Sequence, residues 1–194
     1  LARLWDGEVR PLDVEALSRE NDVVVLGLPE AVAARVGAEL VGNGIRVIDL
    51  SGAFRLRDEE LRNRWYPDTA ALPDCTLYAL PERSRAGLPG ARLVSCPGCY
   101  PTAALLSLLP LADAGLLAGD VIIDAKSGVS GAGKAPTDRT HFSENHGSAA
   151  AYGVFSHRHA AEMEQALDRA VTFVPHLVPL NRGILETIYA RLAP

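Results

Sequence analysis

The stretch Asp22-Val23-Val24-Val25-Leu26-Gly27-Leu28-Pro29 decides the fold. Its apolar run from Val23 is that of a short strand buried on both faces, as in a parallel sheet. Pro29 then opens a segment, Glu30 to Val41, with Val32, Val36 and Leu40 at helical spacing, and Gly42 and Gly44 close it. Ile45 to Leu50 is the next apolar strand. Strand, helix and strand within about 30 residues make a βαβ unit, which predicts a parallel sheet with a right-handed crossover. Ligands of such sheets sit beyond the carboxyl ends of the strands, so Gly27 to Glu30 and Ser51 to Phe54 are expected to border a crevice.

Working outward, residues 55–92 are mixed, proline-rich and charged, and read as loop with short helical pieces. Pro101 and Thr102 lead into Ala103, Ala104, Leu105, Leu106, Leu108 and Leu109, a buried helix that Pro110 ends or kinks. Val121 to Ala125 reads as a strand, Lys126 to Pro136 as a glycine-rich loop and His157 to Ala170 as a helix. Val171 to Val174 and Ile184 to Ala190 read as strands, the latter with Ile184, Glu186, Ile188 and Ala190 on one face.

The 194 residues suffice for one ordinary domain or two small ones, and 48% hydrophobic with 22% charged residues supports a packed core rather than disorder. A net charge of −5, from 19 Lys+Arg against 24 Asp+Glu, leaves no basic footprint for nucleic acid. A few local cations can still hold an anionic substrate. Leu93 to Ala112 carries no charge, but Pro97, Pro101 and Pro110 punctuate it, so no membrane span is expected. Three cysteines, Cys75, Cys96 and Cys99, are too few and too odd for a disulfide scaffold, and a reducing cytoplasm is expected, with no signal peptide. The chain opens on Leu1 with Met163 its one methionine, and reads as a piece of a longer protein.

The segment Ser95-Cys96-Pro97-Gly98-Cys99-Tyr100-Pro101-Thr102 is the most informative chemically. Pro97 and Gly98 fix a tight turn and Pro101 suits the first helical position, placing Cys99 within a residue or two of a helix N-terminus. Unpaired N–H groups and the macrodipole there stabilise a thiolate, lowering the thiol pKa from about 8.5 and making a nucleophile. The same cysteine also reads as a small buried residue. Cys96 and Cys99 form a Cys-x-x-Cys. A redox pair belongs at the start of its own βαβ unit, and a zinc site needs two more ligands where Cys75 stands alone, so no metal is expected.

His157-Arg158-His159 with Glu162 is the second constellation. His157 falls at the expected helix start, and Glu162, one turn beyond Arg158 and three residues past His159, lies where it can orient an imidazole. A histidine beside a cysteine makes and manages a thiolate. Spacing of i, i+2 on a helix sends His157 and His159 to different faces, which argues against a shared metal. Third, Ser127 through Lys134 nearly matches a nucleotide-binding P-loop, but Ala135 stands where the Mg²⁺-binding hydroxyl belongs. Its N–H groups can still cradle a phosphate or approach a flat cofactor. Fourth, Pro175 to Gly183 offers Arg182, a planar donor for carboxylate or phosphate. Arg158, Lys134 and Arg182 together would form a local anion site.

Asp49-Leu50-Ser51 with Phe54-Arg55-Leu56, then Pro97 to Thr102, Ser127-Gly128 through Gly133, Ala151-Tyr152, His157-Arg158-His159 with Glu162, and Pro175-His176-Leu177-Val178-Pro179 with Arg182-Gly183-Ile184-Leu185 follow one another in this order. On these motifs, from residue 22 to the end, the chain resembles the N-acetyl-gamma-glutamyl-phosphate reductase family, the arginine-biosynthetic branch of the semialdehyde dehydrogenase superfamily. It departs from the family's pattern at Cys96 (often asparagine), Ala53 (often aspartate) and Ala160-Ala161 (usually Thr-Pro). The amino-terminal glycine-rich loop and carboxyl-terminal helix that complete the family's NADP site are not in the sequence.

The resemblance implies an α/β fold: the latter part of a Rossmann-type dinucleotide-binding domain over 1–97, then an incomplete α+β catalytic and dimerisation domain over 98–194. It implies an NADPH-dependent reduction of N-acetyl-glutamyl 5-phosphate to the 5-semialdehyde and phosphate. Cys99 would attack the acyl phosphate to give a thioester that NADPH reduces, with His157 as the acid/base group. Arg158, Arg182, Lys134 and Glu162 would bind substrate, and Ser127, Gly128, Ser130, Gly131 and Pro29 would border NADP(H). A cytoplasmic homo-oligomer, dimer or tetramer, is implied, acting on a small acyl phosphate. The lysine-pathway reductase of an N-acyl-aminoadipyl phosphate and aspartate-semialdehyde dehydrogenase share this chemistry, but the run Cys99 to Thr102 resembles the arginine enzyme more. A Cys-His acyl hydrolase would need the same pair and no nicotinamide; an inactive remnant would need neither.

Overall fold

In a computed structural model, which describes residues 7–69, 72–133 and 135–194, the chain builds two four-stranded sheets. Asp13 caps α1 (Val14–Glu20) by accepting from the Ala16 amide at 3.0 Å. β1 (Val23–Leu26), α2 (Glu30–Gly42) and β2 (Arg46–Asp49) follow, with β1 and β2 parallel, which is the βαβ unit expected of residues 22–50. One expectation fails: β1 is buried on one face only, Val23 and Val25 being 46% and 59% exposed while Val24 and Leu26 join the core. The reason is position, because β1 is an edge strand and the core of α2, Phe54 and Leu93 lies against one side of it.

Residues 55–92 hold the short helical pieces expected of them and, in addition, a strand that was not expected. Asp58 caps α3 (Glu59–Trp65) through the Leu61 amide, β3 (Thr76–Tyr78) forms the far edge of the sheet, and α4 (Pro81–Ser84) follows. β3 is three residues long, too short to display a period in sequence. It runs parallel to β4 (Leu93–Ser95), giving the order β1-β2-β4-β3.

From β4 the chain turns through Pro97 and Gly98 into α5 (Cys99–Asp113). Pro110 sits within this helix and does not end it. The carbonyl that loses its donor belongs to Leu106, an exposed residue, so water can serve it. The second sheet has order β6-β7-β5-β8. It comprises β5 (Leu117–Ser127), β6 (Ala150–Ala151), which follows the short helix α6 (Phe142–Asn145), then β7 (Val171–Leu177) and β8 (Ile184–Leu192). β7 lies parallel to β5, and β8 antiparallel to it. β7 runs past Pro175, where the sequence reading stops, because that residue contributes its carbonyl, accepting from Tyr152 at 2.9 Å.

Helix α7 (His159–Leu167) packs with α5 on one face of this sheet, burying Tyr100, Leu105, Leu108, Met163 and Phe173 against Val121 and Ile123. It is shorter than the expected 157–170: Arg158 is its N-cap, and Asp168 ends it in the left-handed region at φ 52°. The opposite face carries Ile122, Leu185 and Tyr189, at 41%, 68% and 58% exposure, with no helix over it among the described residues. No helix among the described residues is long and apolar enough to cross a membrane.

Candidate active site

Cys99 is the first residue of α5, so the nucleophile candidate does stand at a helix N-terminus. The residue that achieves this is Gly98, the N-cap, with Pro101 the third residue of the helix rather than the first. Thr102 locks the turn, its amide and its Oγ1 both donating to the Gly98 carbonyl, at 2.9 and 2.8 Å. Gly98 is glycine for want of room: a Cβ there would overlap the His159 ring and lie 2.9 Å from Nη1 of Arg55.

The thiol charge runs against the sequence expectation. Protein around the sulfur removes water and pushes the Cys99 pKa up, and this outweighs the downward pull of the Tyr100 and Cys99 amides and of Arg55. Cys99 itself is an exposed residue and opens into a cavity of about 310 Å³ together with His157, Tyr152, Gly131, Arg139 and Arg158. All three cysteines are free thiols.

His157 precedes α7 instead of starting it. Its ring is walled by Tyr100, Tyr152, Phe173 and His159, with centroids 5.8, 5.6, 5.4 and 4.7 Å away, so the two histidines face each other rather than diverging. This desolvation, with Arg158 alongside, lowers the His157 pKa to about 4 and makes it neutral at pH 7. The His159 amide donates to Nδ1 of His157 at 3.1 Å, which assigns the proton of the neutral ring to Nε2. No hydrogen bond joins His157 to Cys99 among the described residues, so the resting pair is thiol and imidazole rather than thiolate and imidazolium.

The remaining expected residues separate. Arg158 reaches the cavity, but its Nη1 is paired with Glu30 at 2.5 Å and its guanidinium lies over Tyr66 at 5.2 Å. Arg182 is exposed and is not among the residues lining the Cys99 cavity; its backbone backs Gly128, where a Cβ would come within 2.8 Å of the Arg182 nitrogen. Lys134 lies outside the described residues. Glu162, expected among the substrate contacts, is fully buried, and both its oxygens are engaged within the protein.

Of the cofactor residues, Gly131 lines the cavity and Ser130 beside it is exposed. Ser127 and Gly128 are buried beneath the loop, the Ser127 hydroxyl donating to the Gly128 carbonyl. Pro29 is the exposed N-cap of α2, tied toward the cavity by the Glu30–Arg158 pair, and no atom lies within 4 Å of where a Cβ of Gly27 would sit. Gly131 is thus the one of the five that lines the cysteine's cavity, with Ser130 and Pro29 exposed to solvent.

Four contributors were not singled out in sequence. Arg139 lines both this cavity and a neighbouring one of about 720 Å³, and Tyr152 joins the two, its hydroxyl 2.9 Å from that of Tyr100. Arg55 and Tyr78 sit behind the nucleophile turn. Arg55 and Tyr152 left a signal, Arg55 standing just beyond β2 at the crevice and both lying in motifs that carry the resemblance.

Family models cover nearly the whole chain: the NAD binding domain of semialdehyde dehydrogenase matches residues 3–91, and the semialdehyde dehydrogenase dimerisation domain matches residues 99–194. Among similar proteins, the N-acetyl-gamma-glutamyl-phosphate reductase of Halorhodospira halophila is 49% identical over 91% of this chain and 54% of its own length. That of Shouchella clausii is 43% identical over 95% and 56%. The chain thus spans about half the length of the curated relatives it matches. Aspartate semialdehyde dehydrogenase II from Vibrio cholerae has a similar structure at a TM-score of 0.70, covering 91% of this chain and 58% of that one at 16% identity. The Candida albicans aspartate semialdehyde dehydrogenase, solved with NADP, gives 0.63 over 91% and 52%, at 15% identity. With these two models matching nearly all of its residues, the chain belongs to the semialdehyde dehydrogenase family.

Proposed function

We propose that this chain carries the nucleophile-bearing part of an NADPH-dependent reductase that converts N-acetyl-glutamyl 5-phosphate into the 5-semialdehyde and phosphate, in arginine biosynthesis. The observation that carries the reading is that Cys99, at the start of α5, and a neutral His157 open into one cavity. The relatives 43% and 49% identical to this chain bear that reductase name.

Sγ of Cys99 attacks the acyl carbon, the bond from that carbon to the phosphate oxygen breaks, and a thioester forms with release of phosphate. The thiol proton passes to His157, which is neutral at pH 7; taking it breaks the hydrogen bond from the His159 amide. Because its site disfavours the imidazolium, His157 gives that proton up readily to the oxygen of the former thioester carbonyl once hydride has arrived. It takes the proton back as the C–S bond breaks, releasing the semialdehyde and a Cys99 thiolate that the imidazolium reprotonates. Amides at the first turn of α5 face the same developing charge. NADPH, when bound, supplies the hydride. Pro29, Ser130 and Gly131 hold its ring, Ser127 and Gly128 support that loop from beneath, and Arg158 with Arg139 faces the substrate anion. Arg182 and Lys134 remain candidates for the same anion.

The dinucleotide-binding part runs over 1–97 and the catalytic part over 98–194. The uncovered face of the second sheet pairs with a second copy, and the enzyme works in the cytoplasm. In the full-length protein, Cys99→Ser should abolish turnover while NADPH binding, followed by nucleotide fluorescence, is retained. Loss of both together would undermine the assignment.

A further inference from the structure

Behind the nucleophile turn lies a buried ion pair that reading Cys99 and His157 leaves unexplained. Arg55, from the loop after β2, and Glu162, from α7, meet at 3.1 Å between Nη1 and Oε1, with side chains 8% and 0% exposed. Each is bound to backbone on either side of Cys99's turn. Arg55 Nε donates to the Cys96 carbonyl at 2.9 Å, and its Nη2 donates to the Leu50 carbonyl at 2.9 Å. Glu162 Oε2 accepts from the Gly98 amide at 2.9 Å and from the Tyr78 hydroxyl at 3.2 Å. Gln165, one turn further along α7, grips the same loop, donating to the Arg55 carbonyl and accepting from the Arg57 amide.

A buried ion pair is a poor source of stability, since desolvating two charges offsets their attraction. Holding a geometry is what such a pair does well, and this one spans both ends of Cys96-Pro97-Gly98. We propose that Arg55 and Glu162 are positioning residues for the nucleophile: together they clamp the Cys96–Gly98 backbone, tie the first sheet's loop to α7, and set the charge balance behind the Cys99 thiol. The inference rests on Cys99 being the nucleophile. Glu162 thereby acts through the turn and not on substrate.

Two readouts that a merely structural role would not move test it, in the full-length protein. The first is deuterium exchange at the Gly98 amide. Glu162→Ala should speed exchange by about tenfold or more, and Glu162→Gln, which keeps an acceptor, should restore protection. The second is the pH profile of Cys99 alkylation by iodoacetamide, read by peptide mass spectrometry. Removing the negative partner in Glu162→Gln should lower the midpoint by about one unit, Arg55→Met should raise it by about one unit, and the double variant should return it toward the parent. The other titratable groups at the thiol, His157, His159, Arg139, Arg158, Tyr100 and Tyr152, are unchanged in all of these.

Unchanged Gly98 exchange in a folded Glu162→Ala, or midpoint shifts of the same sign or of zero in the two single variants, would overturn the proposal. Should Arg55→Met not fold, Glu162→Gln and Glu162→Ala decide alone. If the parent's Cys99 titrates as Cys75 does, the nucleophile reading fails, while Gly98 exchange still tests the clamp.

Discussion

At the scale of single residues, packing around Gly98 does more than its neighbours' chemistry reveals. Its φ of −62° is available to any residue, so only close approach demands glycine here. Gly98→Ala must displace the His159 ring or Arg55, and should cost about 1–3 kcal/mol in denaturant unfolding. Cys99 alkylation should slow by about tenfold or more in the same variant, because the clamp moves with it. His157 offers a second test. Its folded pKa of about 4 lies below the ordinary value of 6.5, so its neutral form is favoured on folding. The stability it contributes is present above pH 6.5 and is lost as pH falls toward 4, and His159, shifted the same way by burial, adds to that loss. Thermal midpoints measured from pH 7 down to 4 should fall less steeply in His157→Gln than in the parent; identical slopes would contradict the burial argument.

At the scale of elements, β8 carries a group that its strand pattern conceals. Ile184, Glu186 and Ile188 share the inner face, as their alternation in sequence predicts, but both carboxylate oxygens of Glu186 are buried with no partner among the described residues. Desolvation alone lifts its pKa to about 7 from 4.5. The sign is opposite to that of His157: the protonated acid is favoured on folding, so its contribution is full below pH 4.5 and is lost as pH rises through 7. Glu186→Gln should therefore raise the melting temperature at pH 8 and leave it nearly unchanged at pH 4.5. An equal rise at both values would show that the carboxylate is not penalised by burial. The short β3 and the passage of α5 through Pro110 belong to this scale too: the first does not show in sequence, and for the second the sequence left ending and kinking both open. Three residues carry no period, and whether a proline stops a helix turns on the exposure of the carbonyl it leaves, here that of Leu106.

At the scale of the whole molecule, the second sheet is packed by α5 and α7 on one face and left open on the other. Ile122, Leu185 and Tyr189 make that open face apolar beside the Asp124–Lys126 ion pair, and the family's name for residues 99–194 is a dimerisation domain. Placing a charge on this face with Leu185→Glu should weaken self-association about tenfold or more, read as a shift to smaller mass in sedimentation. Unaltered mass would mean that another surface associates. The candidate site itself spans both sheets: Cys99 follows β4 of the first sheet, while His157 lies on the second sheet's approach to α7.

Short-range spacing of apolar residues, prolines and glycines carries the βαβ unit, the parallel sheet and the helix start at Cys99, and it singles out the cysteine and histidine proposed for the chemistry. Charge states and partners were settled by packing in three dimensions. Cys99 is raised rather than lowered, Arg158 is drawn to Glu30, and Glu162 is withdrawn behind the turn to meet Arg55, 107 residues away in sequence. Desolvation and ion pairing depend on what surrounds a group in space, and local spacing holds no record of that.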